Sequence, residues 1–347
     1  MPMRYSTFGR RTGLRVSEFA LGTGNFGTVF AAAADLDEAP LILKAFADAG
    51  GTLIDTADGY NHGQSERFVG DLVAGDRDHF VISSKYTNGA SADPDMQRLG
   101  NGRKNMIRSV EDSLRRLRTD YLDLYWAHHP DSITPLDEMM LAFDHLVAAG
   151  KVLHVGLSNF PAWQVARSAT LAELRGWAPL AGIQLEYSLV ERSGDRELLP
   201  MANALGLGLT MWSPLGGGLL TGKYRRGETG RMGQPRRIHR EDTPTKVATL
   251  DALIGVAVEI GAAPGQVALA WLRTLGRRSG TPSIPIIGPR TVGQLDEQLG
   301  SLDVELDDAQ FARLDQASAI ALGAPYDGTE AAYRRLLGVD PDRFVRP

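Results

Sequence analysis

The sequence contains no cysteine. That excludes disulfides, thiolate nucleophiles and any zinc or iron–sulfur site built on cysteine. It also lacks a run of about 18 apolar residues, the least that would suggest a membrane-crossing helix. The opening Met1-Pro2-Met3-Arg4-Tyr5-Ser6 has no apolar stretch of the kind a secretory signal carries. Charge of one sign is scarce: 37 Lys and Arg stand against 42 Asp and Glu, for a net charge of −5 spread along the chain. There is thus no basic footprint for nucleic acid. These absences point away from a disulfide scaffold, a membrane protein and a nucleic-acid binder, and make a soluble protein of the cytoplasm the expectation. What is present suits a sizeable core: 347 residues, 43% hydrophobic and 23% charged. The length exceeds the ordinary domain of ~100–200 residues, but α/β barrels often run longer as one unit.

The dominant pattern is alternation. Short apolar or β-branched runs predict strands at 17–22, 51–55, 80–84, 121–127, 152–157, 181–185, 207–212 and 284–287. Helical spacing fills the intervals, most clearly over 103–118, where Met106, Ile107, Val110, Leu114 and Leu117 recur at helical offsets. Further helices are expected at 36–49, 135–149, 161–174, 195–205, 247–260 and 264–275. Pro264 near one start, and Gly150 and Gly206 just past two ends, match helix punctuation. Eight strands separated by crossover helices imply an α/β fold whose parallel sheet closes into a (β/α)8 TIM barrel. Residues 3–16, with turn residues from Gly9 to Gly13, predict a β-hairpin capping it. No linker divides residues 1–347, so one domain is expected, with the barrel over about 15–305, long βα loops and a tail over 317–347.

In such a barrel the functional groups sit at the C-terminal ends of the strands. The second predicted strand ends in Asp55, with Tyr60 five residues on. The third leads to Lys85 and the fourth to His128. The next ends fall at Ser158-Asn159, Gln184, Trp212-Ser213 and Gly288-Pro289-Arg290. A metal pair at His128-His129 is disfavoured, because neighbours on a strand face opposite ways; no metal site is expected.

Six segments carry a resemblance. Asp55-Thr-Ala-Asp-Gly-Tyr60, Ser83-Ser-Lys85-Tyr, Asp123-Leu-Tyr-Trp-Ala-His128, Gly156-Leu-Ser-Asn159, Trp212-Ser-Pro-Leu-Gly-Gly-Gly-Leu-Leu-Thr-Gly222 and Ile287-Gly-Pro-Arg290-Thr follow one another in the chain. Together they resemble the signatures of the aldo-keto reductase superfamily, closest in style to its bacterial and potassium-channel β-subunit branch, over about Leu14 to Leu302. The resemblance implies NADP(H)-dependent reduction of a small-molecule carbonyl. Tyr60 would be the general acid, Lys85 the ammonium that lowers its pKa, Asp55 the partner holding Lys85, and His128 a hydrogen-bonding group for the substrate oxygen. The five-residue offset from Asp123 selects His128 over His129. A free phenol titrates near ~10, so it needs such help to exchange a proton at neutral pH.

The same resemblance assigns the cofactor. Ser158, Asn159 and Gln184 match positions that hydrogen-bond the nicotinamide carboxamide, and Trp212 matches the aromatic that stacks on the ring. Ser213, Leu215, Gly218 and Lys223 fall in the pyrophosphate loop. Gly288 and Arg290 match the approach to the adenosine 2′-phosphate, which a guanidinium fork suits. Gln294 and Gln298 follow on the adenine side, Gln298 replacing a shorter Asn.

Two rival readings remain. Residues 22–27, Gly-Thr-Gly-Asn-Phe-Gly, match the glycine pattern of a Rossmann turn, which would require a helix to open at once. Thr28-Val29-Phe30 follow instead, so Gly22 is expected to end a strand and 24–35 to form a mobile loop over the substrate. The second rival is a cofactor-sensing partner protein, since channel β-subunits share the fold and the four catalytic residues. The chain shows no extra N-terminal peptide suggesting that role. Substrate choice is expected to lie in 24–35, 86–101, 213–246 and the tail, with Phe26, Phe30, Tyr86 and Tyr326 lining an aromatic pocket.

Overall fold

In a computed structural model, residues 2–29, 34–228, 239–327 and 335–336 are described. Two short strands, β1 (Tyr5–Thr7) and β2 (Arg15–Ser17), pair antiparallel as the expected hairpin. Eight more follow: β3 (Ala20–Gly22), β4 (Leu53–Asp55), β5 (Val81–Tyr86), β6 (Leu122–Ala127), β7 (Val152–Ser158), β8 (Leu180–Glu186), β9 (Gly208–Trp212) and β10 (Ser283–Ile287). All run parallel and close into a barrel, β10 pairing with both β9 and β3. The fold is a (β/α)8 barrel with an N-terminal hairpin. Gly22 is the last residue of β3, and among the described residues no helix opens between Gly27 and Glu38, so the glycine pattern there belongs to a βα loop.

Period-two alternation sorts each strand into an inner and an outer face. In β5, Val81 joins the core inside the barrel, while Ile82 and Tyr86 join the shell between sheet and helices. Ser83 and Lys85 share the inward face with Val81. At the bottom of the barrel Phe8, from the hairpin turn, packs edge-on against Trp126 with centroids 6.1 Å apart. Glycines make room for it: a Cβ on Gly208 would lie 2.9 Å from the Phe8 ring, and one on Gly156 only 2.3 Å from Trp126.

The outer layer holds α1 (Glu38–Asp48), α2 (Gln64–Val73), α3 (Arg103–Leu117), α4 (Leu136–Ala148), α5 (Ala162–Arg175), α6 (Leu198–Leu205), α7 (Pro244–Ile260), α8 (Pro264–Arg278), α9 (Val292–Leu299) and α10 (Asp308–Ser318). Helix ends carry the expected punctuation: Pro264 opens α8, and Gly206 closes α6 at φ +69°, a left-handed geometry glycine adopts without penalty. Three helices, α2, α9 and α10, were not among those expected. The buried face of α2 consists of Ser65, Glu66, Val69, Gly70 and Val73, too polar to show a 3.6-residue apolar rhythm. Its Glu66 is satisfied inside, by Arg116 Nε at 2.6 Å and Ser84 Oγ at 2.5 Å. Of the others, α9 follows β10 directly, and α10 follows the expected barrel boundary and packs on α7. Among the described residues no single helix is long and apolar enough to cross a membrane.

Candidate active site

The parallel register levels the strand tops, Gly22 pairing with Asp55 and Asp55 with Ser83. Above them opens a cleft of about 760 Å³. Lys85 stands inside the barrel, fully buried, its Nζ donating to Asp55 Oδ2 at 2.5 Å, to the Thr56 carbonyl at 2.8 Å and to Tyr60 Oη at 3.2 Å. All three ammonium hydrogens therefore have an acceptor. Asp55 is held in turn by Ser83 Oγ at 2.8 Å and Gln184 Nε2 at 3.0 Å, both on Oδ1.

Tyr60 opens a tight turn in which Asn61 and His62 are left-handed, at φ +47° and +54°. Fully buried Asn61 donates to the carbonyls of Gly24 and Phe26 at 3.2 and 3.0 Å, tying the first βα loop against this turn. His128 meets Tyr60 edge-on at 5.9 Å between centroids. Asn88 Nδ2 lies 3.2 Å from His128 Nδ1.

The titrating groups are strongly perturbed. Burial raises the Tyr60 hydroxyl above its ordinary value of 10, against the opposing pull of the Lys85 ammonium. The expected lowering by Lys85 is thus present but outweighed. Burial also pulls Lys85 down, yet Asp55 and Tyr60 together hold it above the usual lysine value. Burial, then the charge on Lys85 and the neighbouring His129, push His128 well below 6.5. At neutral pH the site therefore presents a protonated phenol, an ammonium–carboxylate pair and a neutral imidazole.

The structure brings most of the expected residues to one cleft. Asp55, Tyr60 and His128 line it, with Lys85 directly beneath. Asn159, Gln184, Trp212, Ser213, Leu215, Gly218, Lys223, Gly288, Arg290, Gln294 and Gln298 line it too. Ser158 does not: it is fully buried behind the wall, where its hydroxyl accepts from Asn159 Nδ2 at 3.0 Å. Asn159 also donates to the His128 carbonyl at 3.0 Å and accepts from Trp212 Nε1 at 3.0 Å, so both its amide hydrogens are engaged and one acceptor site is left. Gln298 Oε1 is buried in the cleft with no partner among the described residues.

Further expectations fail. Phe26 and Tyr86 are fully buried in the shell between sheet and helices, and Tyr86 stacks on Tyr125 at 5.3 Å. Tyr326 bonds Glu197 at 2.5 Å and does not line the cleft; Phe30 lies outside the described residues. Nor do His128 and His129 diverge. Strand β6 ends at Ala127, and past it the pleat no longer applies, so the rings stack 4.5 Å apart and both line the cleft. Ser83, Asn61 and Asn88 were not singled out from sequence, and His129 was weighed there only to be set aside. Ser83 alone had a signal, standing two residues before Lys85 on the same strand face.

Comparison with known proteins agrees with this arrangement. The profile described as "Aldo/keto reductase family" matches residues 18–319. The chain belongs to that family. Among similar proteins, the oxidoreductase YrpG of Bacillus subtilis is 38% identical, over 88% of this chain and 93% of its own length. Norsolorinic acid reductase stcV of Emericella nidulans is 34% identical, over 93% and 84%. Aryl-alcohol dehydrogenase [NADP(+)] of Phanerodontia chrysosporium is also 34% identical, over 90% and 86%. As an aldo/keto reductase, the protein is an oxidoreductase acting on carbonyl and alcohol groups.

Proposed function

We propose that this aldo/keto reductase is an NADP(H)-dependent carbonyl reductase and alcohol dehydrogenase in which Tyr60 is the proton donor. The observation that carries this reading is the fully buried Lys85 ammonium, wedged between Asp55 Oδ2 at 2.5 Å and Tyr60 Oη at 3.2 Å. When bound, a reduced nicotinamide dinucleotide supplies the hydride that adds to the carbonyl carbon. Tyr60 gives its proton to the carbonyl oxygen, and its raised pKa keeps that proton in place at neutral pH. Lys85 stabilises the phenolate left behind, and Asp55 keeps Lys85 charged and aimed. His128, neutral, hydrogen-bonds the same oxygen. Such acid–base help contributes ~10²–10⁴-fold.

The cleft suits the dinucleotide. Gln298 Oε1 is a buried acceptor without a partner among the described residues, the capacity an adenine amine would use. Arg290 lines the cleft and no carboxylate among the described residues forms an ion pair with it, which leaves its fork for a 2′-phosphate. Trp212, held by Asn159, would offer its face to the nicotinamide. Two relatives are named for aryl-alcohol and norsolorinic acid chemistry, so aromatic aldehydes and ketones come first in a substrate panel.

The test is NADPH oxidation across that panel. Tyr60→Phe is expected to lose at least ~10²-fold in kcat while still binding NADPH. Arg290→Ala is expected to weaken NADPH far more than NADH. A wild-type protein that binds NADPH tightly yet turns over no carbonyl would favour the sensor reading, and equal losses for both nucleotides would remove Arg290 from the phosphate site.

A further inference from the structure

We propose that Asn88 is a positioning residue that sets the tautomer of His128, donating to Nδ1 so that Nε2 carries the hydrogen offered to the substrate oxygen. The inference rests on the reading of His128 as the group that meets that oxygen. A neutral imidazole has one donor and one acceptor nitrogen, and the partner of one nitrogen decides the role of the other. Asn88 Nδ2 lies 3.2 Å from Nδ1, which makes Nδ1 the acceptor and leaves Nε2–H for the cleft. A ring with the opposite tautomer would present a lone pair to a carbonyl oxygen and repel it.

The approach of Asn88 is built in by its neighbours. Thr87 takes φ +110°, a costly conformation for a β-branched residue, and it persists because both ends of its hydroxyl are engaged. That hydroxyl donates to Asn101 Oδ1 at 2.7 Å and accepts from the His128 backbone N–H at 3.2 Å. Asn101 Nδ2 then donates to the His129 carbonyl at 2.8 Å, so the two loops are laced together on either side of the Asn88–His128 contact. From the third side comes the Tyr60 turn: a Cβ on Gly59 would stand 3.2 Å from the Gly89 carbonyl and 3.6 Å from Asn88 Cβ. The catalytic phenol and the imidazole are thus both referenced to the Thr87–Gly89 turn. The titrating groups facing the ring are Tyr60, Lys85 and His129, and burial with the last two keeps it uncharged at neutral pH. Only an uncharged ring has a tautomer to select.

The experiment is ¹⁵N NMR of histidine-labelled protein without nucleotide, with His128→Asn identifying the His128 signal among the seven histidines. The wild type is expected to show a neutral ring protonated on Nε2. Asn88→Asp keeps the shape but can only accept. It is expected to convert the ring to Nδ1–H or imidazolium, lower kcat by about 100-fold and leave the NADPH Kd within about twofold. A carboxylate beside Nδ1 should also bring a new ionisation into the pH–rate profile at about pH 6–8. A wild-type ring protonated on Nδ1, or an Asn88→Asp protein with unchanged tautomer and pH profile, would overturn the proposal. The NMR result stands even if the wild type turns over no carbonyl, so failure here is separable from failure of the reductase reading.

Discussion

Asp58, two residues before the Tyr60 phenol, is 2% exposed, and its Oδ1 has no hydrogen-bond partner among the described residues. Burial first, then the charge of Glu66, raise its carboxyl to about 7, against the pull of Arg116. In the unfolded chain it would titrate near ~3.9. Between those values the unfolded state sheds the proton while the folded state keeps it, so this residue lowers stability as pH rises, with the full cost above about 7. Asp58→Asn is therefore expected to exceed wild-type stability at about pH 8 by on the order of 2–4 kcal/mol. Melting curves should show that advantage shrinking toward about pH 5, as protonation neutralises the native residue. An advantage independent of pH would mean that the carboxyl does not titrate as its burial implies. The Asp55-Thr-Ala-Asp-Gly-Tyr60 segment made Asp55 and Tyr60 legible from sequence, but not the direction of the Tyr60 shift, because burial depends on what the rest of the chain places around the ring.

At the scale of elements, the hairpin β1–β2 does more than cover the barrel floor. Phe8 enters the lumen, and the three nearest atoms to a Cβ on Gly208 all belong to its ring. Phe8→Ala is expected to cost ~3–5 kcal/mol through the cavity it leaves, and Gly208→Ala ~1–3 kcal/mol through overpacking. Since the added methyl would point into the hole, the double variant should lose less than the two single losses combined, measured by urea unfolding. Additive losses would refute the shared space. The hairpin and all eight barrel strands were legible, since turn residues and short β-branched runs are local signals. The plug was not, because a strand glycine read alone indicates only weakness. Helix α2 escaped for a related reason: its buried face carries Glu66, which looks like a surface residue until Arg116 and Ser84 are seen to meet it.

The cleft belongs to the molecule as a whole, since its walls come from segments as distant as Gly24 and Gln298. Asn25 Nδ2 donates to the Gly288 carbonyl at 2.9 Å, joining the first βα loop to the last across the seam where β10 meets β3. A dinucleotide held there binds only the closed barrel, so NADPH at about 100 times its Kd should add roughly 2.7 kcal/mol to stability. Thermal melting is expected to show a larger gain with NADPH than with equal NADH, and Arg290→Ala should erase the difference. Equal gains in the wild type would count against 2′-phosphate recognition. Taken alone, the amino-acid order determined the strand–helix rhythm, the barrel and the placing of Asp55, Tyr60, Lys85 and His128 at its strand ends, because periodicity and short motifs are written in neighbouring residues. The folded chain decided the rest: that Ser158 lies behind the cleft wall, that His129 stacks on His128, that Tyr86 faces the helices, and that Asn88 meets an imidazole 40 positions away. Those outcomes depend on burial and on contacts between distant segments, and neither exists until the sheet closes.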